Sequence, residues 1–94
     1  MEYLKKYGIT DEQIEKIKKN YSVEICEFLS KNSQFVENTI NYLYSENIKC
    51  IYWLMINNIK IFLETQVALK RKIEEYKRYG LSTKEIQMEL LQER

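Results

Sequence analysis

The sequence has no histidine, no proline, two glycines, two cysteines and no long apolar run. Each absence removes a class of protein. Without histidine there is neither imidazole ligation nor imidazole acid–base chemistry. Without proline, and with glycine so scarce, the turns of a strand-rich protein have nothing to be made from. The longest apolar stretch, Cys50-Ile51-Tyr52-Trp53-Leu54-Met55-Ile56, falls far short of the roughly 20 residues that span a bilayer. Cys26 and Cys50 sit inside apolar helical patterns with no second pair, which reads as two buried free thiols and not a disulfide framework. The opening Met1-Glu2-Tyr3-Leu4-Lys5-Lys6 carries no apolar signal core, so a cytoplasmic protein without membrane contact is expected. Fifteen basic against fourteen acidic residues leave +1, and so weak a net charge draws neither nucleic acid nor an acidic substrate over distance.

What is present forms helices. The 94 residues, 45% hydrophobic and 31% charged, are enough for one domain spanning 1–94 and too apolar for a disordered chain. Thr10-Asp11-Glu12-Gln13 and Ser82-Thr83-Lys84-Glu85 are capping boxes, in which the first side chain and the fourth satisfy each other's backbone N–H. Each follows a Gly-apolar pair, Gly8-Ile9 and Gly80-Leu81, where glycine accepts the left-handed conformation that closes the preceding helix. Asn47-Ile48 fits the same role. Ser22, Ser33 and Thr65 are further candidate caps. The expected helices run to about Tyr7, then near 11–20, 22–30, 34–46, 48–57, 59–63, 66–79 and 83–93. Val36, Ile40 and Leu43, like Leu69, Ile73 and Tyr76, recur at i, i+4, i+7 and mark one buried stripe each. The expected core is Leu4, Ile14, Val36, Ile40, Leu43, Ile51, Leu54, Leu69, Ile73 and Ile86.

Gly8, Asn47 and Gly80 also align an internal repeat. Four residues before them stand Leu4, Leu43 and Tyr76; one after stand Ile9, Ile48 and Leu81; six after stand Ile14, Trp53 and Ile86. Short apolar helices ending in Phe28-Leu29 and Phe62-Leu63 close the first two units. Periods of this size belong to helical arrays. Tyr7-Gly8-Ile9-Thr10-Asp11-Glu12-Gln13-Ile14 and Tyr79-Gly80-Leu81-Ser82-Thr83-Lys84-Glu85-Ile86 resemble mitochondrial transcription termination factor (mTERF) repeats. The resemblance implies an all-α fold, a compact array of about two and two-thirds three-helix units, and nucleic-acid binding as the family's activity. Where that family opens its third helix with proline, this chain reads Asn20-Tyr21-Ser22 and Asn57-Asn58-Ile59.

The candidate chemistry is recognition. Asp11/Glu15 and Glu85/Glu89 share helix faces, yet carboxylate pairs without a third converging ligand make no metal site. No Gly-rich phosphate loop, nucleophile elbow or metal-spaced cysteine pair occurs. A non-enzyme without cofactor or metal is therefore expected. Tyr42, Tyr44, Tyr52 and Trp53 crowd the middle unit beyond what so short a chain encloses easily, and rings of this kind anchor protein interfaces. The leading expectation is a protein-binding adaptor or inhibitor, with a homodimer as the other partner such a surface allows. The abundance of Ile, Lys, Asn and Tyr, residues of AT-rich codons, points to a low-GC bacterium, a phage or another mobile element. The alternative is nucleic-acid binding through Lys70, Arg71, Lys77 and Arg78 on the basic 70–78 helix, although Glu74 and Glu75 stand between those pairs.

Overall fold

The computed structural model describes residues 1–93. A 3-10 helix, Glu2–Tyr7, leads into α1 (Asp11–Asn20), α2 (Val23–Lys31), α3 (Ser33–Ser45), α4 (Ile51–Asn57), α5 (Lys60–Leu63), α6 (Gln66–Arg78) and α7 (Thr83–Gln92). No strand occurs among the described residues. The helices fold into an all-α globule of 37 × 24 × 22 Å.

Local chemistry sets the boundaries. Thr10 Oγ1 accepts from the Gln13 amide at 3.2 Å while the Thr10 amide donates to Gln13 Oε1 at 3.0 Å. Ser82 and Glu85 repeat the exchange at 3.2 and 2.9 Å. Ser22 and Thr65 cap α2 and α6. Ser33 does not cap α3: it is the first helical residue, and Asn32 holds the cap position without a side-chain bond to the α3 amides, its Nδ2 donating back to Phe28 O at 3.0 Å. Gly8, Asn47 and Gly80 have φ of +80°, +61° and +82°. After the last two, Ile48 N–H donates back to Leu43 O at 2.9 Å and Leu81 N–H to Tyr76 O at 3.1 Å, closing α3 and α6 by Schellman turns. The chain from 48 to 50 is not helical, so α4 begins at Ile51, four residues past the left-handed Asn47, whereas α1 and α7 begin three past their glycines. That extra residue turns Trp53 outward. It is 58% exposed, while Ile14 and Ile86, aligned with it in the sequence, are buried and Leu54 takes the inward position in α4.

All ten expected core residues are buried, joined by Ile9, Ile17, Leu29, Ile48, Met55, Ile61, Phe62 and Leu90. Cys26 and Cys50 are free but only half-buried. α1 packs on α4 and α4 on α7, forming one layer; α3 packs on α2, α5 and α6 and forms the other. Helix ends in this arrangement are satisfied from outside their own sequence. Tyr3 OH donates to Leu29 O at 2.6 Å, Tyr21 OH to the carbonyls of Met55 and Ile56, and the buried Asn58 Nδ2 to Leu90 O at 2.8 Å. These acceptors are last-turn carbonyls of α2, α4 and α7 that have no partner within their helices.

Ile73→Ala, which empties a fully buried site, is expected to lower stability by about 2–5 kcal/mol in denaturant unfolding. Beyond its chain neighbours no atom lies within 4 Å of where a Gly80 Cβ would stand, and the φ of +82° penalises Gly80→Val whatever the space. Asn47→Gly at the third left-handed position should leave the melting temperature unchanged or raise it, since glycine adopts that conformation with no Cβ penalty.

Candidate protein-binding surface

The four middle-unit aromatics do not form a single patch. Tyr42 and Tyr44, two residues apart on α3, point to different sides. The Tyr42 ring lies under Lys70 Nζ, 5.4 Å from its centroid, on the side where α6 packs. Burial, then the charges of Glu46 and Glu74, push its phenol up to about 12. Tyr44 packs edge-on against Tyr7, with centroids 5.7 Å apart and planes at 78°. Tyr52 and Trp53 make a second edge-on pair at 5.1 Å and 69°.

Tyr7 of the first pair and both rings of the second line a groove of about 190 Å³, together with Gly8, Ile9, Gln13 and the stretch from Lys49 to Ile51 that leads into α4. Its position follows from the turns. The Gly8 turn brings the 3-10 helix back beside the Asn47–Cys50 loop, and Tyr44 OH reaches Tyr7 O at 3.5 Å across that junction. Tyr7 is fixed on the far side by Glu37, whose Oε1 accepts from Tyr7 OH at 2.8 Å and from Lys6 Nζ at 2.9 Å. The Lys6 ammonium and then the Tyr7 hydroxyl hold the Glu37 carboxyl below its usual range. Burial first, and the bond to Glu37 second, raise Tyr7 to about 12. Cys50, in the groove wall, has its thiol pushed up by burial. Sequence reasoning missed Tyr7, Gln13 and Lys49. The signal available was the repeat alignment, since stacked units set equivalent turns side by side and the Gly8 turn is the counterpart of Asn47.

A wider apolar trough of about 340 Å³ runs between α1 and α2 past Met1, Tyr21, Val23 and Cys26. Its lysines, Lys18 and Lys31, pair with Glu15 and Glu27, and its exposed apolar group is the aliphatic Val23. It lacks the exposed ring that interface anchors supply.

The basic helix is divided between two neighbours. Lys77 pairs with Glu46 beyond the end of α3, and Lys70 covers Tyr42. Lys72 Nζ and Tyr76 OH both reach the Glu93 carboxylate, at 2.6 and 2.7 Å. The ion pairs of α6 are thus tertiary, and none is made with Glu74 or Glu75 among the described residues. Arg71 and Arg78 remain exposed and without an ion-pair partner among the described residues. No group of three or more His, Cys, Asp or Glu side chains placed to hold a metal ion occurs among the described residues, and no described helix is long and apolar enough to cross a membrane. No protein family, characterised protein or solved structure matches the chain.

The Glu37 bridge gives the groove wall a pH dependence. A carboxyl whose folded pKa lies below its unfolded value contributes stability that is present above the unfolded value, 4.5, and lost as pH falls through the folded one. Glu37→Gln should therefore flatten the acid limb of melting temperature against pH below about 4.5, leaving the neutral-to-alkaline limb parallel to wild type.

Proposed function

We propose that this protein is a non-catalytic binding module, a small cytoplasmic adaptor or inhibitor that recognises another protein through the groove lined by Tyr7, Tyr52 and Trp53, with Tyr44 packed against Tyr7. The observation that carries the reading is Trp53. It is the sole tryptophan and stands 58% exposed on the most apolar helix of the chain, at the edge of a groove. An exposed indole in that setting loses hydrophobic burial that a partner restores, and Trp and Tyr give large contact area for few frozen torsions.

We read the scaffold as about two and two-thirds mTERF-like units. Three observations support that reading. The left-handed residues recur at the aligned positions. The second helix of each unit packs on the second helix of the next, α1 on α4 on α7, as the first helices α3 and α6 do. The residue that ends each second helix, Tyr21 or Asn58, donates to last-turn carbonyls of the next one. Nucleic-acid binding is the second reading. It rests on the exposed Arg71 and Arg78, since Lys70 and Lys77 are engaged by α3 and its end.

Wild type and Trp53→Ala used as paired baits in extracts of the native host test the choice. A partner held by the groove is retained by wild type and lost by Trp53→Ala, with about 2 kcal/mol or more of binding removed in calorimetry and helicity and melting temperature preserved. Capture that survives Trp53→Ala but fails in Arg71→Gln/Arg78→Gln, with a salt dependence shallower by about 0.7–0.9 per lost phosphate contact, would move the function to α6.

A further inference from the structure

We propose that α6 pairs with α6 of a second copy of this chain, antiparallel about a two-fold axis, through the face it turns to solvent. None of the residues involved lines the groove beside Trp53, so this inference and the groove reading stand or fall separately.

The face is what the packed side of α6 leaves over. Leu69 and Ile73 are buried in the core, and Gln66, Lys70 and Lys77 are engaged by α3 and its end. Across the helix from them, Val67, Ala68, Arg71, Glu75 and Arg78 are all exposed, and Tyr79 follows at the end of α6. Two properties mark this side as lacking a partner. Arg71 and Glu75, like Glu74 and Arg78, stand at the i, i+4 spacing at which ion pairs form within a helix, yet neither pair forms among the described residues. The apolar groups at the two ends are bare as well. Val67 is 58% exposed, and Tyr79, at 75%, is the most exposed large hydrophobic side chain among the described residues.

A second α6 answers both. A two-fold axis level with Ile73 sets residues equally far to either side of it opposite one another. Arg71 then meets Glu75 of the other copy and Glu75 meets Arg71, one ion pair made twice. Farther out, the Tyr79 ring lies over Ala68, the smallest side chain of α6, and the aliphatic stem of Arg78 runs along Val67. A parallel pair would set Arg71 against Arg71 and Glu75 against Glu75. A phosphate backbone would meet Glu74 and Glu75 between the two arginines; the dimer uses acid and base alike. The footprint of one 13-residue helix, about 20 Å by 10 Å, falls well short of the roughly 800 Å² per partner of a stable complex. The dimer is therefore a weak one, set by concentration and loosened by salt.

Sedimentation equilibrium of the intact protein over a rising concentration series is the test. Wild type is expected to pass from monomer toward dimer and no further, since a two-fold contact closes on itself. Arg71→Glu alone, or Glu75→Arg alone, sets like charges opposite each other and should weaken association by about tenfold or more. Both sites are exposed and both replacements suit a helix, so the melting temperature should hold. An equimolar mixture of the two variants restores opposite charges at every contact between copies and should associate as well as wild type, a rescue that pairing within one chain does not give. If either reversal unfolds the protein, Tyr79→Ala carries the test from an exposed ring and should weaken association by about fivefold or more. A monomer at every concentration, reversals without effect, or a mixture that stays monomeric overturns the inference. An oligonucleotide held more tightly by Glu75→Arg, with no dimer in any variant, overturns it in favour of nucleic acid. A dimer lost in Trp53→Ala overturns it in favour of the groove.

Discussion

Left-handed backbone at Gly8, Asn47 and Gly80 is what lets a chain without proline reverse direction within two or three residues. Each such turn ends one helix, and those at Gly8 and Gly80 hand the next a capped start through the capping boxes of Thr10 and Ser82. Where the capping box is missing, after Asn47, the connection runs on to Cys50 before α4 begins. The exposed tryptophan is a result of that difference. One further residue of loop rotates α4 so that Leu54, and not Trp53, enters the core. A turn constraint therefore decides which side chain reaches the surface.

The tyrosines divide their work. Tyr3 and Tyr21 use their hydroxyls to occupy last-turn carbonyls of neighbouring helices, a service that glycine-based turns or water provide elsewhere. Tyr7 and Tyr76 donate to carboxylates that also hold a lysine, Glu37 with Lys6 and Glu93 with Lys72. So much aromatic content in a chain this short is explained partly by joints between helices. Tyr7 belongs to both groups, since its ring also lines the groove beside Tyr52 and Trp53.

Local rules made the helices and the core legible. Caps, left-handed positions and i, i+4, i+7 stripes act over a few residues, and the burial of Val36, Ile40 and Leu43 or of Leu69 and Ile73 follows from them. What stayed hidden spans a greater distance. The contacts of Tyr7 with Glu37 and of Lys77 with Glu46 join residues about thirty apart, and no local pattern names those partners. The phase of α4 was hidden for another reason, since a single added loop residue shifts every side chain by about 100° around the helix. Ser33 shows the same sensitivity on a smaller scale: Asn32 takes the cap and Ser33 becomes the first helical residue.

α3 and α6 are each 13 residues long with similar apolar stripes, so hydrophobic burial alone would let one stand in for the other. Charge prevents this. α3 has no lysine or arginine, and it or its end offers Glu37, the Asn38 carbonyl, the Tyr42 ring and Glu46; Lys6, Tyr7, Gln66, Lys70 and Lys77 approach from the 3-10 helix and α6. An electron-rich helix held between donor-bearing neighbours acts as an address label. Two copies of α6 laid side by side would set lysine against lysine, so the order of the helices is written in their charges as well as in their connections.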